Sequence, residues 1–261
     1  MKKAKSDYLI QSVSRALDIL EAFSPRERTL GVTELARKLR LHKNNVFRLL
    51  ATLETRGYVE QEKESGAYRL GLKIYEVAAV FLRQLEIRRH ARPVLESTAT
   101  QLHESLYLAQ RDRAFVVYVD CVETDQPIRV ASRLGARFPA HATAAGKAMI
   151  AFLSRELFEE CFMRQPLTAL TAKTITDAEA LFSQLGRVVD AGYALSDEED
   201  TPGVRSVAAP IWDSNKQIVG AIECVAPAFR MEHGRTQELI PQLKAAAQEI
   251  SARIGGAPST D

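Results

Sequence analysis

The sequence predicts an α+β fold in two parts, a winged helix-turn-helix followed by a larger region in which helices cover an antiparallel sheet. Three observations carry this. Residues 12–57 hold three amphipathic helical stripes parted by short polar connectors, and two short alternating runs flank Ser65-Gly66. Beyond residue 105, β-rich runs alternate with helical ones and close on two long β-rich segments before a final helix.

The chain has 261 residues, 46% of them hydrophobic and 26% charged, which is the composition of a globular protein with room for two ordinary domains. No apolar run approaches the ~18 residues of a membrane span, and the basic opening MKKAKSDYLIQS leads into no apolar segment. A cytoplasmic protein with no membrane partner is expected. Cys121, Cys161 and Cys224 are odd in number and far apart, without a C-x-x-C pair, so reduced thiols are expected in place of a disulfide framework or zinc ribbon. The net charge of +2 hides an asymmetry. Residues 1–92 carry 19 Lys+Arg against 11 Asp+Glu, a net of +8, and the remainder carries 16 against 22, a net of −6. A basic first third points to a polyanionic partner for that part.

The first helix places Val13, Ala16, Leu17, Leu20 and Phe23 on one face and stops at Ser24-Pro25. The second is short, with Thr33 near its start and Leu35, Ala36 and Leu39 as its stripe; Arg40-Leu41-His42 then leads into the third. That third helix buries Val46, Leu49, Leu50 and Leu53 at positions i, i+3, i+4 and i+7 and ends at Gly57. Its outer stripe carries Asn44, Arg48, Ala51 and Thr55, flanked by Asn45 and Thr52 on one side and Phe47 on the other. Two short helices joined by about three or four residues make a helix-turn-helix, and the runs 58–61 and 67–70 around Ser65-Gly66 make its wing.

Asn is a weak helix former, so Asn44 and Asn45 at a helix start call for a reason. Either they cap free N–H groups, or an amide side chain makes a bidentate contact to adenine in a major groove. Arg48 suits guanine or a phosphate, and Lys43 and Arg69 suit phosphates. The candidate DNA-binding set is therefore Lys43, Asn44, Asn45, Phe47, Arg48, Thr52 and Arg69, and the partner is double-stranded DNA.

A helix over 72–86, running on toward residue 92, reads as a connector, and Pro93 is placed to open another with Val94, Leu95, Thr98 and Leu102 inward. Strands follow at 106–110, 115–123 and 128–132, then helices at 144–153 and 177–191. Strands at 193–196, 204–212 and 217–225 and a helix over 236–254 complete the chain. The division expected is 1–71, 72–92 and 93–261.

Enzyme signatures fail one by one. Ala145-Gly146-Lys147-Ala148 lacks the first Gly and the Ser/Thr of a phosphate loop, since His141 and Ala148 stand there. Tyr107 breaks the zinc-protease pattern begun at His103-Glu104, and no G-x-S-x-G elbow occurs. Asp197-Glu198-Glu199-Asp200 reads as a solvated loop more readily than as a cation site, and His141 as a hydrogen-bonded structural histidine. No catalytic residue, metal or cofactor is expected.

Several stretches together resemble the IclR family of bacterial transcriptional regulators: Ser12-Val-Ser-Arg-Ala-Leu-Asp-Ile-Leu, Phe47-Arg-Leu-Leu-Ala-Thr-Leu with Gly57-Tyr58, Gly135-Ala-Arg-Phe-Pro-Ala-His-Ala-Thr-Ala-Ala-Gly-Lys-Ala148, Gly192-Tyr193 with Asp197-Glu-Glu, and Val207-Ala-Ala-Pro-Ile with Val219-Gly-Ala-Ile. Their order and spacing over residues 10–255 carry the likeness. It implies that 1–71 binds DNA, 72–92 is a linker helix that helps pair subunits, and 93–261 is a GAF/PAS-like domain that binds an effector and oligomerises. The assembly implied is a homodimer or homotetramer on a palindromic operator. Carried over by position, the effector site has Ala144, Ala145, Asp197, Ser206 and Glu223 as its polar rim, with Val130, Phe138, Val204 and Val225 as apolar wall. The sequence departs from the family pattern at Glu223 and Val225, where small hydroxyl residues are usual, and at Ala144, which is often Gly.

If 217–225 is a strand, residues 223 and 225 share a face, and a carboxylate buried there needs pairing, a donor or a proton. Pairing with Arg129 or Arg205, a hydroxyl or ammonium group on the effector, and a register that turns Glu223 to solvent are the three resolutions. The expected effector is a small polar, carboxylate-bearing metabolite with a donor aimed at Glu223. A winged helix fused to an enzyme and a ligand-independent DNA binder are the competing readings.

Overall fold

A computed structural model describes residues 8–255 except Gln165. It divides into two compact units, 1–84 and 85–261.

In the first unit, α1 (Gln11–Glu21), α2 (Val32–Leu39) and α3 (Lys43–Thr55) precede a hairpin of β1 (Val59–Gln61) and β2 (Tyr68–Leu70) and then α4 (Leu72–Gln84). Arg40 adopts left-handed backbone angles after α2, and α3 begins three residues later. Its core is Ile19, Leu30, Leu35, Val46, Leu50, Leu53, Val59 and Tyr68, so the stripe read in α3 is the buried one. Tyr68 also forms an antiparallel bridge to Leu30 that fastens the wing to the loop before α2. At φ +74°, Gly57 supplies the left-handed conformation that stops α3.

The stripe read in α1 is split by the structure. Ala16, Leu20 and Phe23 pack partly buried against the core, whereas Val13 and Leu17 are exposed, together with Tyr8, Leu9 and Ile10; the buried residues of this segment, Ile19 and Ala22, lie outside that stripe. No residue of α4 is buried, and Leu72, Tyr75, Val77, Val80 and Phe81 all lie open.

The second unit opens with α5 (Glu86–Leu102), which corrects two expectations. The connector 72–92 is two helices parted at Leu85, whose backbone is not helical, and Pro93 lies inside α5 and does not start a helix. Burial of Ile87, Ala91, Val94, Leu95 and Leu102 holds the helix through the proline, whose missing N–H lies on the exposed side.

Six strands follow in the order β5-β4-β3-β8-β7-β6, every neighbouring pair antiparallel: β3 (Ser105–Asp112), β4 (Phe115–Val122), β5 (Arg137–Pro139), β6 (Ala194–Asp197), β7 (Val204–Trp212) and β8 (Ile218–Pro227). One face packs on α5 and α9 (His233–Arg253) through Leu106, Leu108, Val207, Ile222 and Cys224. The other packs on α6 (Ala144–Ile150) and α8 (Ala178–Ala191) through Tyr107, Tyr118, Ala208, Ala221 and Val225. A short helix α7 (Arg155–Phe158) and a wide turn of π type over Glu159–Met163 lie between them, and neither was foreseen.

The strand expected at 128–132 does not form. Residues 123–136 run without regular structure, because β5 takes the sheet edge beside β4, pairing Val116 with Phe138. Among the described residues all three cysteines are free thiols, and no helix is long and apolar enough to cross a membrane.

Candidate nucleic-acid interface and effector site

At the start of α3, His42 takes the cap position with extended backbone and makes no side-chain cap bond. Asn44 and Asn45 follow inside the helix, exposed, and neither amide is hydrogen bonded to the described residues. The capping alternative is thus not realised, and both amides face water unspent. Lys43, Arg48 and Thr52 are exposed on the same helix, Phe47 is 55% exposed, and the Thr52 hydroxyl donates back to the Arg48 carbonyl at 3.0 Å. Asn45, Arg48 and Thr52 also line a shallow groove with Gln11, Ser12 and Arg15 of α1. On the wing, Arg69 pairs with Glu60 at 2.9 Å, a half-exposed bridge that holds the cation only weakly. Seven side chains chosen from the sequence are therefore all on the surface, six of them on one helix.

In the second unit the site is built around α6. The Thr143 hydroxyl caps the helix by accepting the Gly146 N–H at 3.0 Å. A Cβ on Gly146 would lie 2.1 Å from the Ala140 carbonyl oxygen, so only glycine lets the tight turn Ala140–Ala142 cross here. Ala144 and Ala145 are fully buried, and the Ala145 N–H donates to Glu223 Oε1 at 3.3 Å. Glu223 is fully buried on the face of β8 that meets α6, and the Tyr118 hydroxyl donates to its Oε2 at 2.6 Å. Burial pushes the Glu223 carboxyl above the usual range, while Arg133 and the Tyr118 bond pull it back. Val204 and Val225 are buried in the same cluster, with Val130 and Phe138 packed against it and Ser206 buried on β7.

Asp197 is not brought there. Alternation along β6 turns Ala194 and Ser196 inward and Asp197 outward, where it pairs with Arg205 at 2.5 Å and Lys173 at 3.2 Å. Arg129 pairs with Glu123 at 3.5 Å, so neither cation proposed for Glu223 reaches it. The carboxylates that do point inward are Glu199 and Asp200, beyond the partly buried Glu198. Glu199 takes the fully buried Lys147 ammonium at 2.6 Å, and Asp200 takes a short bond from Arg133. The run Asp197–Asp200 is therefore half solvated and half buried, each carboxylate matched to a protein cation.

Arg133 was missed from the sequence, as were Tyr118, Lys147, Glu199 and Asp200. Its guanidinium is 4% exposed and donates to Asp200 and, at 3.4 Å, to the Tyr118 hydroxyl; it lies 4.9 Å from the Phe138 ring and 5.9 Å from the Tyr118 ring. Burial works against its charge, but Tyr118 and Asp200 more than offset this and hold Arg133 above the ordinary guanidinium value. Burial likewise lowers Lys147, against the pull of Glu199. His141 Nε2 meets the Thr168 carbonyl at 3.1 Å, the structural role read for it. Among the described residues no three His, Cys, Asp or Glu side chains are grouped to hold a metal ion. The only signal for this network was the acidic run itself, because its partners lie 52 and 67 residues away.

Among the described residues the arrangement around α6 offers buried hydrogen bonds and paired charges. Comparison with known proteins identifies the family. A model of the IclR helix-turn-helix domain matches residues 12–63, and one described as bacterial transcriptional regulator IclR C-terminal matches 79–252. The HTH-type transcriptional regulator KdgR of Escherichia coli (strain K12) is 32% identical over 246 residues, covering 94% of this chain and 93% of that protein. An IclR transcriptional regulator from Alicyclobacillus acidocaldarius superposes with a TM-score of 0.83 at 26% identity, over 95% of this chain and 100% of the other. An IclR homolog from Microbacterium hydrocarbonoxydans, complexed with 4-hydroxybenzoate, shares the fold with a TM-score of 0.79 at 24% identity, over 93% and 98%. These relatives are regulators and not enzymes; two matched models that together take in both units show that the chain belongs to the IclR family of bacterial transcriptional regulators.

Proposed function

We propose that the protein binds an inverted-repeat operator as at least a dimer, and that a small organic molecule seated between the start of α6 and the sheet alters that binding. The observation that carries the first half is the unspent polar face of α3, where Asn44, Asn45 and Arg48 are exposed and two amides lack any partner among the described residues. Lys43, Phe47, Thr52 and Arg69 complete the surface, with Lys43 and Arg69 set for phosphates. Residues 1–71 read DNA in this scheme, the helical stretch 72–92 connects, and 93–261 senses and oligomerises. The bare apolar surfaces of α1 and α4 support pairing of two copies, since such surface is costly in water.

The second half rests on Glu223, Ala145, Ser206 and the wall of Val130, Phe138, Val204 and Val225, with Ala144 at the helix start. A donor on the ligand meets Glu223; a ligand carboxylate would have to draw Arg133 or Lys147 away from its own carboxylate partner. The bound 4-hydroxybenzoate of the Microbacterium homolog supports a small organic effector as the class.

The test is to select DNA fragments with the purified protein and footprint them. The expected result is an inverted repeat whose half-sites sit about 10 bp, or a multiple of it, apart. A single half-site covered by one protomer would count against the proposal. Melting the protein with a panel of metabolites identifies the effector, because a ligand bound only by the native state raises the melting temperature.

A further inference from the structure

Arg133 is the one buried residue between positions 125 and 139: Ala131, Ser132, Leu134 and Gly135 around it are exposed. Residues 129–132, just before it, make no backbone hydrogen bond with the described residues. The strap is tied on one side by the Ile128 carbonyl, which accepts from Arg230 at 2.5 Å, and on the other by the Gly135 N–H, which donates to the Tyr118 carbonyl at 2.8 Å. An exposed strap, whose residues 129–132 are held by side-chain contacts of Arg129 with Glu123 at 3.5 Å and of Ser132 Oγ with Cys121 Sγ at 3.9 Å, thus delivers a single guanidinium into a chamber of buried polar side chains. There the cation lies beside the Phe138 and Tyr118 rings, donates to Asp200 and lies close to the Tyr118 hydroxyl that donates to Glu223.

The chamber holds more acidic groups than basic ones. Glu199, Asp200 and Glu223 are buried against only Arg133 and Lys147, and two further polar atoms there, Glu199 Oε2 and Tyr107 Oη, lack a hydrogen-bond partner among the described residues. Burying so many ions gains the fold little over apolar packing of equal volume, so stability does not account for the arrangement.

We infer that this site takes a cationic ligand, with an amidinium or guanidinium head, and that Arg133 is the tethered stand-in that the ligand displaces. The inference rests on the sensor reading above and names the ligand class for it. Charge conservation carries it. When Arg133 leaves, the acids of the chamber face Lys147 alone, and only an incoming cation restores the pairing of Asp200 and the setting of Glu223. An anion entering with Arg133 in place finds both cations taken, and one entering as Arg133 leaves adds negative charge to a chamber already in excess. The exchange of one planar cation for another keeps the aromatic contacts and the donors.

The experiment uses the full chain and four probes, benzamidinium and methylguanidinium against the matched benzoate and benzamide. Melting temperature and hydrogen exchange over residues 129–136 are read on the wild type, on Arg133→Ala and on Glu223→Gln, with operator retardation run on the same samples. The expected result is a saturable rise in melting temperature with the two cations only, faster exchange at Gly135 and Ala136 as the strap lets go, and loss of the response in Glu223→Gln. Arg133→Ala should bind the cations about tenfold tighter or more, because the competing tethered group is gone. A wild type that is indifferent to both cations overturns the inference, as does stabilisation by benzoate that depends on Glu223. Should Arg133→Ala fail to fold, the wild-type exchange data decide: a rise in melting temperature without loosening of the strap means that the cation binds elsewhere, and the inference falls. Normal operator retardation alongside a failed cation arm removes this inference alone, whereas a wild type that binds no selected operator removes the regulator reading beneath it.

Discussion

Arg48 stands on the open side of α3, opposite Val46, Leu50 and Leu53, so its side chain takes no part in holding the helix. Arg48→Ala should leave the melting temperature unchanged and weaken operator binding by ~1–3 kcal/mol if the guanidinium contacts a base, measured as a dissociation constant at fixed salt. Asn44→Ala and Asn45→Ala should change which base is preferred in a selection; equal losses on every sequence would mean that the amides touch only phosphates. His141 has a different signature. Burial holds its imidazole below the ordinary value, with Lys147 adding to the effect and the Thr168 carbonyl opposing it. The unfolded chain therefore binds the extra proton first as pH falls through about 6.5, and stability drops from there toward the lowered folded value. In His141→Gln this part of the pH dependence should vanish from denaturant titrations across that window; an unchanged slope would show that other groups account for it.

Among the elements, α4 is the one whose sequence and surroundings disagree. It is rich in apolar residues, yet Leu72, Tyr75, Val77, Val80 and Phe81 are 49–76% exposed in the single chain. Tyr75→Glu combined with Phe81→Glu should raise solubility of the monomer, shift the sedimentation profile from dimer toward monomer and weaken operator binding through lost pairing; an unaltered profile would place the pairing surface elsewhere. The three helices and the wing were legible because each is a local pattern: a 3.6-residue stripe, a stop at Gly57, an alternation around Ser65-Gly66. The strand read at 128–132 was not, since Ile128, Val130 and Ser132 alternate as a strand would while the sheet edge they needed went to β5. Pro93 misled for a related reason, as tertiary burial of the residues beside it outweighed its local preference. In the candidate effector site, the shared inward face of Glu223 and Val225 followed from strand parity, and the family likeness supplied Ala145 and the apolar wall, which the fold gathers beside them. Asp197 failed by a one-residue question of parity, and the Arg133–Asp200 pair joins two irregular segments that no periodicity connects.

For the molecule as a whole, the division of charge has a measurable correlate. The net of +8 falls on residues 1–92, the stretch that includes α3, and the net of −6 on the rest, which repels a phosphate backbone. Operator affinity should fall linearly with the logarithm of salt concentration, by about 0.9 in slope for each phosphate neutralised. Lys43→Gln should flatten that line by about one phosphate per protomer and cost the same on every sequence, which separates it from the base-reading loss expected of Arg48. A slope unmoved by Lys43→Gln would assign the phosphate contacts to other cations. Strand β8 sets a further condition on signalling. Glu223 and Val225 face α6, while Ile222 and Cys224, their immediate neighbours, are fully buried among residues of α5 and α9. A close-packed interior transmits displacement in place of absorbing it. The strand is thus a stiff plank shared by two floors: an ångström of movement on the α6 side is answered on the other, at the helix whose first turn begins two residues after the end of α4.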